Sequence, residues 1–326
     1  MMSLKVRSLN KVQLLFLVIV IALYLLPLFK VSILVLHIII YTLLFAYAAT
    51  AWNIVGGMAG QLSLTHGAFL GIGAYAAALL FMNNSISPWI TLPLAMVIGA
   101  GAAALIGYPC FKFGLRGAYF AIASLMFNLI FVELLIVWRE FTGGSLGLSI
   151  KFINNPLYFQ FATKEPYYWI ILTMWIAIIL LIKKAKKLRY YLAAIRENED
   201  AAAALGISVR KYKLMAAVIS GALTAAVGVF YAQYFMYVNP EGTAGVDMSI
   251  EILLIALIGG KFTILGPTIG ATIIVPLSEY LRYTLGGTYA GLHRIIFGIV
   301  LIILVLLLPQ GIWGRIDEKW KLEARL

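Results

Sequence analysis

Val31-Ser32-Ile33-Leu34-Val35-Leu36-His37-Ile38-Ile39-Ile40-Tyr41-Thr42-Leu43-Leu44-Phe45-Ala46-Tyr47-Ala48-Ala49-Thr50-Ala51-Trp52-Asn53-Ile54-Val55 runs for 25 residues without a formal charge. At about 1.5 Å per residue, a helix of that length outspans the roughly 30 Å of bilayer hydrocarbon. Its apolar residues stand side by side, where a membrane barrel strand would place a polar partner at every second position. The rest of the chain has the same texture: 63% of its 326 residues are apolar, 12% are charged, and the mean hydropathy is +0.98. Soluble domains of this size do not have that composition. The fold class is therefore all-α, a polytopic membrane protein forming a single membrane domain over residues 1–326.

Outward from that block, spanning segments are expected at about 12–29, 31–55, 64–82, 88–111, 117–138 and 166–182. The first follows Lys5, Arg7 and Lys11 but is longer than a secretory h-region and has no small-x-small cleavage site, so it reads as a retained helix. After the sixth comes the one large polar run, 183–213. It holds nine of the 25 Lys and Arg residues: Lys183, Lys184, Lys186, Lys187, Arg189, Arg196, Arg210, Lys211 and Lys213. The positive-inside rule places it in the cytoplasm together with the N-terminus, and six crossings between two inside segments satisfy parity. Lys112 and Arg116 then lie inside, and the loop from about 139 to 166 lies outside.

Beyond the run, a helix from about Leu214 to Val238 leaves the cytoplasm, and a last one from about Leu292 to Leu308 precedes Arg315, Lys319, Lys321 and Arg325, which should be inside. The stretch from Met248 to Leu285 must then be a hairpin, broken at Gly259-Gly260-Lys261 and Gly266-Pro267 into two unequal helices. About ten transmembrane or re-entrant segments result. The outer loop contains Thr142-Gly143-Gly144-Ser145 and Asn154-Asn155-Pro156, which are turn formers.

No Walker A, HExxH or GxSxG pattern occurs, and His37, His66 and His293 sit in three different segments, so no catalytic residue, metal site or cofactor is expected. The single Cys110 excludes a disulfide framework. The net charge of +12 is dispersed among the inside loops and carries no case for nucleic acid.

Within the polar run, Ala201 to Leu205 favour a helix, Gly206 is a C-terminal stop, and Ser208 can cap a second helix starting near Arg210. A short helix with a small apolar face suits a groove on a partner. It equally suits a basic interfacial helix lying on anionic membrane lipid.

Four ordered blocks sharpen this reading. Asp200-Ala201-Ala202 followed by Gly206 matches the EAAxxxG loop of ABC importer permeases, with Asp in place of the usual Glu. Trp52 to Gly57 with Gly60 to Phe69, Leu115 to Ala121, and Thr142 to Leu148 match further signatures. Together, over about Ala51 to Gly314, the chain resembles branched-chain amino acid permeases of the LivM type. It departs from many EAA loops in lacking their Ile-x-Leu-Pro ending.

The resemblance implies half of a heterodimeric pore, beside a second, LivH-type permease, with two ABC ATPase subunits below and an extracytoplasmic substrate-binding protein outside. It implies a cell (inner) membrane location with both termini cytoplasmic. Arg196, Glu197, Asp200, Ala201, Ala202 and Gly206 would couple to the ATPases. The substrate would be an aliphatic branched-chain amino acid, with urea or another small polar solute as the alternative.

Candidates for the substrate path are Ser63, Thr65, His66, Asn128 and Glu133. Ser63 is an expected N-cap whose helix end could face a substrate carboxylate, and the competing reading is that it and His66 only satisfy a helix start. Gly67 and Gly71 read as close-packing positions. Glu133 is the clearest charge at membrane depth, Glu279 and Arg282 can pair on one helix face, and Glu251 and Arg294 fall toward the outer side. Two other classes remain open: an ion-coupled carrier, for which only Glu133 and Asn128 offer an intramembrane relay in the first half, and a structural membrane subunit with no path.

Overall fold

The structure is a computed structural model that describes residues 20–29 and 31–285 and parts of 295–313. The N-terminal cations, the tail cations, Arg294 and much of the expected first and last helices lie outside the described residues.

The decisive apolar block forms α1 (Ile33–Asn53), started by Ser32, whose Oγ accepts the Val35 N–H at 3.3 Å. Because α1 is apolar on every side it can be surrounded, and from Ile40 to Asn53 every residue is buried. One wide π turn, Ile54–Met58, follows. Then come α2 (His66–Asn84), α3 (Pro88–Lys112), α4 (Gly117–Val137) and α5 (Glu165–Lys184), two short helices α6 (Lys186–Glu197) and α7 (Glu199–Ala204), and the long α8 (Val209–Phe235). After α8 the chain forms α9 (Pro240–Ala244), α10 (Val246–Gly260) and α11 (Gly266–Leu285). Among the described residues, seven helical segments are long and apolar enough to cross a bilayer, and Val20–Phe29 adds a shorter apolar one.

The expected break between α10 and α11 falls at residues 261–265, between Gly260 and Gly266. The ends of α3 and α5 and the starts of α4 and α8 gather with α6 and α7 at one end of the bundle, here the basic end. At the opposite end, one helical turn (Arg139–Thr142) leads into a two-residue strand β1 (Leu148–Ser149), which pairs antiparallel with β2 (Tyr237–Val238).

Small residues set the closest approaches. α8 lies against α3 where Gly99 and Gly221 meet; a Cβ on Gly99 would stand 2.7 Å from the Gly221 carbonyl. Gly67 and Gly71 are close-packing positions as expected, pressed against the Gly245 carbonyl and the Ala244 side chain. Glu279 and Arg282 pair at 3.0 Å.

Candidate functional site

Two polar regions hold most of the candidate residues. The first is the α6–α7 unit at the basic end. α6 is amphipathic and buries Leu192 and Ile195. Asn198 ends it and caps α7, its Oδ1 accepting the Asp200 and Ala201 N–H groups at 3.0 Å. α7 stops as the sequence predicts. Gly206 takes φ +84, its N–H donates to the Ala203 carbonyl at 2.9 Å, and the Ile207 N–H donates to the Ala202 carbonyl at 3.0 Å. That pair of bonds is a Schellman ending. Ser208 occupies the cap position of α8, but its side chain makes no capping bond.

Four charges tie α7 to the bundle. Arg116, at the start of α4, reaches Glu199 through Nε at 3.1 Å and Asp200 through Nη2 at 3.0 Å. Glu199 also pairs with Lys213 of α8 and accepts from Gln61 Nε2 at 3.4 Å. Lys213 is only 3% exposed, so this side of α7 is fixed inward. The Arg116 hydrogen bond and then its charge hold the Asp200 carboxyl below its ordinary range, and the same contact raises the Arg116 guanidinium.

Of the expected coupling residues, Ala202 is buried, Asp200 is bound to Arg116, and Arg196 chelates Glu197 at 2.7 Å while lying 4.0 Å from the centre of the Phe262 ring. Glu197, Ala201 and Gly206 face outward, joined by Ala203, Ala204 and Leu205, which is 82% exposed. Leu205 had no individual signal in the sequence. Neither had the roles of Arg116, Glu199 and Lys213, which there look like scattered loop charges.

The second region lies deep in the bundle, where α2 begins. Ser63 is not the N-cap: α2 starts at His66 with Thr65 in the cap position, and neither hydroxyl bonds a helix amide. The two hydroxyls pair with each other at 2.9 Å instead. The free amides of α2 are capped from other helices. Gly67 N–H donates to Ser249 Oγ at 2.7 Å, and Ala68 N–H donates to Asn128 Oδ1 at 2.8 Å. Ser249 Oγ donates to Asn128 Oδ1 at 3.1 Å, and Asn128 Nδ2 donates to the Ala244 carbonyl at 3.0 Å.

His66 is fully buried. Ser220 Oγ gives its proton to the Ala51 carbonyl at 2.6 Å, so it accepts from His66 Nε2 at 2.7 Å and leaves Nδ1 as the acceptor facing Ser63 Oγ at 3.3 Å. A cavity of about 10 Å³ lined by Ser63, Thr65, Val55 and Phe69 has room for about one water. Ser63, Thr65, His66 and Asn128 are thus brought together, with Ser249, Ser220 and Ser124 as partners that isolated serines in apolar helices did not announce. Glu133 stands apart on the exposed face of α4 and makes no ion pair among the described residues.

Interrupted spanning helices around a buried polar joint are a feature that many membrane transporters share. The model for the permease component of branched-chain amino acid transport systems matches residues 34–305, and the chain belongs to that family, whose members are permeases of ABC importers. It is similar to the high-affinity branched-chain amino acid transport system permease protein LivM of Salmonella typhimurium, with 29% identity over 87% of this chain and 71% of the relative. It is also similar to the probable branched-chain amino acid transport permease protein LivH of Methanocaldococcus jannaschii, with 28% identity over 81% of this chain and 85% of the relative. The fructose import permease protein FruF of Bifidobacterium longum matches at 23% identity over 80% and 74%. No solved structure matches the chain.

Proposed function

We propose that this chain forms one half of the pore of an ATP-driven importer of aliphatic branched-chain amino acids in the cytoplasmic (inner) membrane. Residues 1–326 make a single permease domain with both termini and the 183–213 loop in the cytoplasm and the 139–166 loop outside. A LivH-type permease completes the pore, two ATPase subunits dock beneath it, and a binding protein delivers substrate from outside.

The observation that carries this reading is the tip of α7. Ala201, Ala204 and Leu205 are exposed on a unit whose other side is locked by Arg116 and Lys213. An exposed apolar tip on a rigid polar mount is suited to insertion in a partner groove.

Substrate passage follows from what the deep cluster cannot do. Ser63 is engaged with Thr65 and His66, Asn128 holds the start of α2, and the cavity of about 10 Å³ beside Ser63 and Thr65 does not admit an amino acid. We place the path instead along an outward face completed by the second permease. The face of α4 carrying Ile122, Met126, Ile130 and Glu133 offers aliphatic contact and one carboxylate for a substrate ammonium group. The first four candidates then hold the joint, and Glu133 meets the substrate. Relatives whose names include both amino acid and sugar import leave the aliphatic preference to that face.

The test is uptake of radiolabelled leucine and urea into proteoliposomes containing the complete complex, with Ala201→Arg/Leu205→Asp as the docking variant. Leucine uptake that requires ATP and is lost in the variant supports the proposal. Uptake that persists without the ATPase subunits refutes it, and urea uptake without leucine uptake refutes the substrate.

A further inference from the structure

Asn53, the last residue of α1, is fully buried and reaches across to the turn between α10 and α11. Its Nδ2 donates to the Thr263 carbonyl at 2.7 Å, and its Oδ1 accepts the Phe262 N–H at 3.2 Å. Two places where the chain departs from regular helical geometry are thereby bolted together: the π turn Ile54–Met58, which begins at the next residue, and the 261–265 turn. The second is strained, since Phe262 adopts φ +82, a conformation that L side chains rarely take. Within it, Thr263 Oγ1 donates to the Gly260 carbonyl at 2.8 Å and accepts from Gly266 N–H at 3.0 Å.

One side chain of the surface unit touches the second break and the chain just past the first. The Arg196 guanidinium, at the end of α6, lies 4.0 Å from the centre of the Phe262 ring. Its aliphatic stem covers Gly60, just past the π turn, where an added Cβ would stand 2.9 Å from Arg196 Cγ. Gly60 has φ +67 and lies six residues before His66 and the deep polar joint. Arg196 is oriented by Glu197, whose side chain is 73% exposed on the outward side of the unit.

We propose that Arg196 and Phe262 form the joint through which the α6–α7 unit moves both helix breaks, with Asn53 as the positioning residue that makes the breaks move together. Intact helical stretches are rigid over this distance, so relative motion concentrates where the helical ladder is already interrupted. A π turn and a left-handed phenylalanine are two such points, and residues in sparsely populated conformations collect at switch regions. A partner that engages Glu197 reorients Arg196, and Arg196 bears on Phe262 and Gly60 at once. This rests on the preceding proposal that the unit meets the ATPases.

The experiment measures ATP hydrolysed per leucine imported by the complete complex in proteoliposomes, a ratio that loss of folded complex does not change. Arg196→Gln and Phe262→Leu each raise that ratio by about threefold to tenfold, the range of a cation–ring contact at a partly exposed site. The double variant is no worse than the worse single one, because both remove the same contact. Phe262→Tyr, which keeps the ring, retains the wild-type ratio. Unchanged ratios in the single variants, or additive effects in the double, overturn the joint. If Phe262→Leu does not assemble, Arg196→Gln decides alone, and an unchanged ratio there overturns it. Failure of the functional reading looks different, since the wild-type complex would then import leucine without ATPase subunits or not at all.

Discussion

Glu199→Gln removes the negative partner of a lysine that has almost no access to water. The Lys213 side chain is 3% exposed and that of Glu199 14%. Breaking a buried pair from one side costs about 3–5 kcal/mol, because the remaining charge stays buried without compensation. The Phe111 ring, 5.4 Å from Lys213 Nζ, and the amide oxygen of the new glutamine recover about 1 kcal/mol. The net loss is about 2–4 kcal/mol, or about 4–8 °C in melting temperature at roughly 2 °C per kcal/mol for a large chain. Lys213→Met costs less, about 1 kcal/mol, because Glu199 keeps Arg116. Glu199→Gln/Lys213→Met melts above Glu199→Gln alone, since no charge is then stranded. Tryptophan fluorescence melts of the complex in detergent, at matched salt, read all three. A Glu199→Gln melt within about 1 °C of wild type, or a double variant lower than either single, would refute the claim that Lys213 needs its partner.

Asp200, held below its ordinary value of 3.8 by Arg116, contributes its tie to α4 in full above that value and loses it as pH falls through the lower folded value. The melting difference between wild type and Asp200→Asn is therefore present at neutral pH and vanishes in strong acid, which melts across a pH series will show. Asn128→Leu leaves the Ala68 N–H and the Ala244 carbonyl buried without this partner and lowers stability by about 2–4 kcal/mol, measured by the same melts. Glu133→Gln leaves melting unchanged and raises the leucine concentration for half-maximal uptake about tenfold, the loss of one charged hydrogen bond; equal uptake curves would remove Glu133 from the path.

Much of this molecule was legible in advance where one strong local rule acts. Length and hydropathy located the spanning helices, paired glycines located the break before Gly266, and Gly206 marked the stop of α7. The expectations weakened where distant segments decide. Ser63 has the residue type and position of a cap, but Ser249 and Asn128, brought in by α10 and α4, hold the amides it was expected to hold. Lys213 counts toward topology like any other cation, and only folding shows it enclosed beside Glu199. β1 and β2 are too short to leave a pattern and form because the chain ends of two loops meet. Asn53 follows Trp52 in an apolar run with no sign of its reach to Thr263.

The inward engagement of the deep polar groups also bears on leakage and on how such proteins diversify. A bundle whose buried hydroxyls, amide and imidazole are bonded to neighbouring groups offers little foothold for a continuous file of water through its own interior. On the function proposed above, cargo recognition falls to the seam between this chain and a second permease. A few substitutions on one outward helix face could exchange a hydrophobic nutrient for a sugar while leaving the fold's internal joinery untouched.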